Sequence, residues 1–257
     1  MAVSSPPWSE VLGIRTFVGD LDLAADALID RALEGRGGYV CLCNVHTLML
    51  AQSDEAVRAA LANAAIVLPD GAPVAWLQRR GGHETATRVG GADLMAAVVD
   101  RGRHQELRHF FFGSTQPNLA RLLSALEVRY PGVEVAGAVA PGFGSAAAIA
   151  PPLDVGSAHI LWCGLGAPKQ ELWMQHWVRA LEPALVVGVG AAFDFLSGTK
   201  QRAPLWMQRH GLEWLHRLGT EPRRLGGRYA ATNCRFVATT AAELAKRLWA
   251  PKPPLRD

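Results

Sequence analysis

Between residues 24 and 189 the chain alternates short apolar runs with longer segments whose apolar residues recur at helical spacing. That alternation restricts the fold more than any other property of the sequence. The strand-like runs lie at 39–44, 65–68, 109–112, 133–139, 159–163 and 185–189, and helical patterns fill 24–33, 46–62, 91–101, 116–129, 144–150 and 168–180. Strands that read as unbroken apolar runs are buried on both faces, and a helix between each pair brings the chain back to start the next strand in the same direction. The expected fold is α/β: a Rossmann-like, mainly parallel sheet with helices on both faces.

In such sheets ligands sit beyond the carboxyl ends of the strands. Asn44, Pro69-Asp70-Gly71, Gly113-Ser114, Gly164-Leu-Gly166 and Gly188-Val-Gly190 all fall there, so five loops are expected to share one rim. The sharpest of them is Gly164-Leu-Gly-Ala-Pro-Lys-Gln-Glu171, where an apolar strand runs through a glycine turn into a helix. Backbone N–H groups and the helix dipole at such a turn favour a phosphate or diphosphate, and Lys169 and Gln170 add donors. The plain alternative is that Gly164 and Gly166 let a helix pack closely on the sheet. The Gly188 segment lacks the third glycine of a dinucleotide fingerprint, and neither a GxSxG elbow nor a Walker lysine loop is present. Nicotinamide, serine-hydrolase and P-loop kinase chemistries are disfavoured.

After residue 199 the alternation stops and the charge changes. Residues 200–257 hold 12 Lys/Arg against 4 Asp/Glu, whereas residues 1–199 hold 14 against 19, so a net charge of +3 divides into a basic end and an acidic body. Apolar and aromatic residues, among them Trp206, Trp214, Leu215 and Phe236, are spaced through this basic segment as in amphipathic helices, with breaks expected at 219–222 and 226–227. The chain therefore divides into an α/β domain, 1–199, and a basic helical appendage, 200–257. On charge alone the appendage fits a nucleic acid, a diphosphate ligand or an anionic membrane surface, and its apolar positions need cover from the body, a second copy or a membrane.

Residues 1–8 have neither a basic start nor an apolar core, which argues against a secretory signal and for the cytoplasm. The longest uncharged stretch, 135–153, is interrupted by Pro141, Pro151 and Pro152 and cannot span a bilayer as a helix. Cys41, Cys43 and Cys163 lie in strands and read as buried thiols; neither CxxC nor a Cys/His zinc spacing occurs, so no metal or disulfide is expected.

Four acidic sites carry candidate chemistry. Asp70, in a turn at the end of a short strand, is placed to serve as a general base, although Pro-Asp-Gly is also an ordinary turn sequence. Asp194 is a second rim carboxylate, able to line the site, cap a helix or pair with a base. In Arg88-Val-Gly-Gly-Ala-Asp93, Arg88 and Asp93 either face a ligand or pair with each other while Asp93 caps the following helix. Asp20 and Asp22 resemble a metal-binding acid pair, but they precede a helix and fit capping. In the appendage, Arg202, Arg217, Arg224 and Arg228 are able to grip phosphate oxygens in forked hydrogen bonds.

Taken in order, Asn44, Pro69-Asp70-Gly71, Arg88 to Asp93, Gly164 to Glu171, Gly188 to Asp194, Arg202-Ala-Pro204 and Gly211-Leu-Glu-Trp-Leu-His-Arg217 resemble the WecG/TagA/CpsF glycosyltransferase family across residues 10–230. The resemblance implies inverting transfer from a UDP-sugar to a polyprenyl-diphosphate-linked glycan acceptor, at the inner face of the plasma membrane, in cell-envelope or exopolysaccharide synthesis. It implies no metal, no cofactor and no nucleic acid. Asp70 would be the base, Asn44 and Gln170 would line the sugar and nucleotide pocket, and Arg217, Arg224 and Arg228 would approach the diphosphates as a lid. Members differ in donor, including N-acetylmannosamine, its uronic acid, glucuronic acid and glucose. One departure stands out: the family usually carries Thr or Ser two residues before Asn44, where this chain has Leu42 followed by Cys43, and Thr47 is the nearest hydroxyl on the helical side. A second reading keeps the fold without the chemistry, as a nucleotide-sugar or nucleic-acid binding module.

Overall fold

The computed structural model describes residues 7–249 apart from 143, 153 and 221. A six-stranded sheet forms its centre, built from β3 (Gly38–Cys43), β4 (Ile66–Pro69), β5 (Arg108–Gly113), β6 (Glu134–Val139), β7 (Ile160–Gly164) and β8 (Leu185–Gly188). The strands lie in the order β4-β3-β8-β7-β5-β6 and every pairing is parallel.

The two-residue period of the strands divides the core into two layers. Val40, Leu42, Phe111, Ile160, Trp162, Leu185 and Val187 face one side and pack against α1 (Leu21–Leu33), α5 (Gly91–Gly102), α6 (Gln116–Arg129) and α8 (Ala192–Leu196). Tyr39, Cys41, Cys43, Phe110, Phe112, Leu161, Cys163 and Val186 face the other, against α2 (Val45–Ala51), α3 (Glu55–Ala62) and α7 (Lys169–Leu181). The three strand cysteines are buried, as their place in apolar strands predicts.

The structure adds elements to those read from the sequence, among them a hairpin and a helix after Gly71. An antiparallel hairpin of β1 (Trp8–Val11) and β2 (Ile14–Phe17) turns at Leu12 and Gly13, whose φ values of 49° and 78° suit a two-residue hairpin loop. Helix α4 (Ala72–Arg80) follows Gly71, with a proline in its first turn.

Three expected helices differ. The pattern over 46–62 is two helices, because the Asp54 side chain accepts from Ala56 N and Val57 N and caps α3 afresh. The pattern over 144–150 closes only one turn, with Ala148 N and Ile149 N both on Ser145 O. Prolines at 141, 151 and 152 leave no room to propagate it. Beyond the sheet come α9 (Leu205–Arg209), α10 (Glu213–Thr220) and α11 (Pro222–Trp249). The break at 219–222 falls between α10 and α11, but Gly226 and Gly227 do not interrupt α11. The roughly 1 kcal/mol that a helical glycine costs relative to alanine is carried by packing: Thr232, Phe236 and Thr240 form a stripe at four-residue spacing on the side of α11 that meets the body.

The order of the strands creates the crevice. From β5 the chain passes through α6 outward to β6, whereas from β7 it passes through α7 inward to β8, so the loops leaving these two neighbouring strands diverge. Divergence of this kind marks where ligands enter open α/β sheets.

Candidate functional site

At the divergence Gly113 pairs with Gly164 in register. Gly113 has a φ of 133°, and a Cβ built on it would lie 2.7 Å from the Gly164 carbonyl carbon, so only glycine lets the two backbones come this close. A Cβ on Gly164 would strike the Phe193 ring. Gly166, with a φ of 80°, has open space where its side chain would be. Thus Gly164 serves packing and Gly166 serves the turn and the open crevice.

Gln170 ties this turn to the next strand. It is buried, its Oε1 accepts from Gly166 N at 3.2 Å and from Gly190 N at 3.0 Å, and its Nε2 donates to Glu171 Oε1 at 3.0 Å. Its side chain spans the β7 and β8 loops, and it takes up one of the backbone N–H groups that an anion would otherwise find. Lys169 is half-buried at the start of α7, directly after Pro168.

Two strands across, Asp70 leaves the end of β4 with its N–H on Cys43 O. Beside it Asn44 caps α2, with its Oδ1 accepting from Thr47 N at 3.2 Å and Thr47 Oγ1 at 3.4 Å. That leaves the amide nitrogen of Asn44 to donate to the Asp70 carboxylate. Burial pushes Asp70 above the ordinary carboxylate range, against Arg88, the Asn44 hydrogen bond and Arg217, which pull it down; Glu213 adds to the rise. Leu42 is buried against the start of α5, where its Cδ1 would lie 2.7 Å from a Cβ on Gly91. Thr47 is buried and committed to Asn44.

Arg88 reaches the site because Val89 N bonds Pro69 O at 2.8 Å, which lays its loop beside the end of β4. Arg88 Nη1 lies 2.8 Å from Glu213 Oε2, and its Nη2 lies 3.6 Å from Asp93 Oδ2. Arg202 closes the square: Nη1 and Nη2 take both Asp93 oxygens at 2.6 and 2.9 Å, and Nε lies 3.5 Å from Glu213 Oε1. Burial raises Asp93, but the Arg202 fork and the charge of Arg88 outweigh it and hold the carboxyl below its ordinary range. Asp93 makes no cap; Gly90 holds that position on α5.

These four charges fasten α10 to the body. Arg217, one turn after Glu213, lies with its guanidinium carbon 6.0 Å from the Phe195 ring centre, within reach of a cation–π contact, and close enough to Asp70 to lower its pKa. The preceding turn sits on the body because Gly211, with a φ of 71°, packs where a Cβ would collide with Ala72. Arg224 and Arg228 belong to α11, but their side chains lie outside the described residues.

Asp194 belongs to a neighbouring network. Its Oδ1 accepts from Asn118 Nδ2 at 2.9 Å and its Oδ2 lies 3.0 Å from Lys200 Nζ, while Asn118 also donates to Ser114 Oγ at 2.7 Å. Asp20 caps α1 through Leu23 N, and Asp22 pairs with Arg101. Glu213, Asn118 and Phe195 were not singled out from the sequence. Only Glu213 left a signal there, as an acid four residues before Arg217 on one helix face.

Two curated proteins align with most of this chain. It is 28% identical over 191 residues, 74% of each chain, to an N-acetylglucosaminyldiphosphoundecaprenol N-acetyl-beta-D-mannosaminyltransferase of Bacillus spizizenii strain W23. It is 26% identical over 188 residues, 73% of each chain, to a protein of the same name from Bacillus subtilis strain 168. The model of the glycosyl transferase WecG/TagA/CpsF family matches residues 9–250, a span that takes in the hairpin, the whole sheet and its rim, and the C-terminal helices. With that match running from β1 through α11, the chain belongs to the WecG/TagA/CpsF family of glycosyl transferases.

Proposed function

We propose that this glycosyltransferase moves a sugar from a UDP-sugar to a hydroxyl of a polyprenyl-diphosphate-linked N-acetylglucosamine, with Asp70 as general base. The observation that carries the reading is Asp70 itself: a rim carboxylate with a raised pKa, oriented by Asn44 and overhung by Arg217. The names of the two Bacillus relatives support the acceptor class and the sugar transferred.

In the proposed step the acceptor oxygen attacks the anomeric carbon from the face opposite the diphosphate. The new C–O bond forms as the bond to the UDP β-phosphate oxygen breaks, the acceptor proton passes to Asp70, and the bonding electrons leave with UDP. The anomeric configuration inverts. A desolvated carboxylate with a raised pKa takes that proton more readily than an exposed one would. Negative charge grows on the departing diphosphate, and Lys169, Arg217, Arg224 and Arg228 are the cations assigned to meet it, while Arg88 and Arg202 are held by Asp93 and Glu213. No metal or cofactor is assigned a role.

Residues 200–257 are proposed to dock on an anionic membrane, where the lipid-linked acceptor resides. Leu205, Trp206, Trp214 and Leu215 are exposed on α9 and α10, beside a surplus of basic residues. None of the helices of the described residues is long and apolar enough to cross a bilayer.

The test is UDP release from a panel of UDP-sugars, with a short-chain polyprenyl-diphosphate N-acetylglucosamine as acceptor, in EDTA and in Mg²⁺. The expected result is acceptor-dependent release from one donor that survives EDTA and is abolished by Asp70→Asn. Near-normal turnover by that variant removes Asp70 as the base.

A further inference from the structure

The one fully buried acid in the 164–171 turn, Glu171, has no part in the chemistry above. It sits in the first turn of α7 with no exposed surface, beneath the sheet face that carries Cys41, Cys43 and Cys163. Those thiols on β3 and β7 are the titratable groups facing it, and no cation is paired with it among the described residues. Its Oε1 accepts from Gln170 Nε2 at 3.0 Å, while among the described residues its Oε2 has no hydrogen-bond partner. A buried carboxyl with one oxygen unmet is costly, and an apolar side chain of the same size would serve packing better.

The side-chain hydrogen bond between Gln170 and Glu171 has a directional consequence. The Gln170 amide has two orientations, and only one points Oε1 at the N–H groups of Gly166 and Gly190, 3.2 and 3.0 Å away. The reverse orientation would set an NH₂ against two N–H donors. We infer that Glu171 is a positioning residue: by accepting from Gln170 Nε2 it locks the amide so that Gln170 clasps the β7 and β8 loops together at the crevice where the donor nucleotide is proposed to bind. Burial holds Glu171 near the neutral form, with its pKa raised to about 7, and in either protonation state Oε1 remains an acceptor.

This inference rests on the donor-site reading for its effect on binding but not for the clasp, so the experiment reads both. The full chain carrying Glu171→Met, which keeps volume and removes the acceptor, is compared with wild type by amide hydrogen exchange and by calorimetric titration with UDP. Exchange at Gly166 and Gly190 should quicken about tenfold or more while amides in β3 and β7 keep their rates, UDP affinity should weaken about tenfold, and Tm should hold or rise. Glu171→Gln keeps an acceptor and should restore both exchange and affinity to within about twofold of wild type. Unchanged exchange in Glu171→Met overturns the clasp. If wild type fails to bind UDP, the donor-site reading falls while the exchange data still decide the clasp. Should Glu171→Met not fold, the wild-type chain decides: the Gln170 side-chain amide protons should exchange slowly, and exchange as fast as that of an exposed glutamine overturns the inference.

Discussion

Arg202 and Asp93 meet through two parallel hydrogen bonds although 109 residues separate them, one on the segment leading to α9 and α10 and the other on the first turn of α5. A fork of this kind depends on the planar guanidinium, which lysine cannot reproduce. Arg202→Lys should therefore loosen α9 and α10 without unfolding the sheet. Limited proteolysis should cut at 198–212 several-fold faster while Tm falls by only a few degrees. Resistance equal to wild type would show that the fork does not hold these helices to the body.

Arg88 and Glu213 form the other fastening, partly open to solvent. A double-mutant cycle of Arg88→Ala and Glu213→Ala, read in thermal stability, should give a coupling of roughly 0.5–1.5 kcal/mol at low salt and less at 0.5 M NaCl. Additive effects would contradict the ion pair.

If Asp70 is the base proposed above, its raised pKa sets the acid side of the rate profile. A base must be deprotonated, so kcat/KM should rise with pH through a value above the ordinary carboxylate range. Arg88→Gln removes a charge that lowers it and should move this limb to higher pH, whereas Glu213→Gln removes a charge that raises it and should move the limb down. Shifts of the same sign in both variants would contradict the electrostatic assignment.

Glu171 leaves a second signature in stability. Its folded pKa, about 7, lies above the ordinary 4.5, so between those values the folded chain keeps a proton that the unfolded chain has released. Stability from this group is greatest below pH 4.5 and is lost as pH rises toward 7, by up to ~3 kcal/mol. Glu171→Gln should flatten this part of the curve in urea denaturation from pH 4.5 to 8. An unchanged slope would mean that Glu171 is ionised in the folded protein.

For the membrane reading, Leu205, Trp206 and Leu215 are the residues to change. Serine at all three should leave Tm within a few degrees, because these side chains are exposed, and should weaken co-sedimentation with anionic phospholipid vesicles about tenfold. Equal sedimentation of both proteins would remove this face as the docking surface.

The sheet was legible because all its strands but the edge strand β6 are buried on both faces, and runs such as Tyr39 to Cys43 and Ile160 to Cys163 have no polar residue to confuse their length. The hairpin was not, since four-residue strands joined by Leu12-Gly13 carry too little pattern, and the turn at 145–149 imitated a helix through its alanines alone. Which loops form the rim followed from the alternation. Which side chains pair there did not: Glu213 and Arg88 lie 125 residues apart, and only folding brings them within 2.8 Å. Gln170 shows the same limit in short range, because no local pattern tells that its amide faces inward to two glycine N–H groups and not outward.

Gly211 packs on Ala72, two residues beyond Asp70, so the turn that leads into α10 and the loop that carries the proposed base are mechanically one part. Displacing α10 would expose the Asp70 carboxylate further and lower its proton affinity toward that of a free aspartate. On the proposed mechanism, closure and basicity would then be set together, by whatever holds α10 against the body.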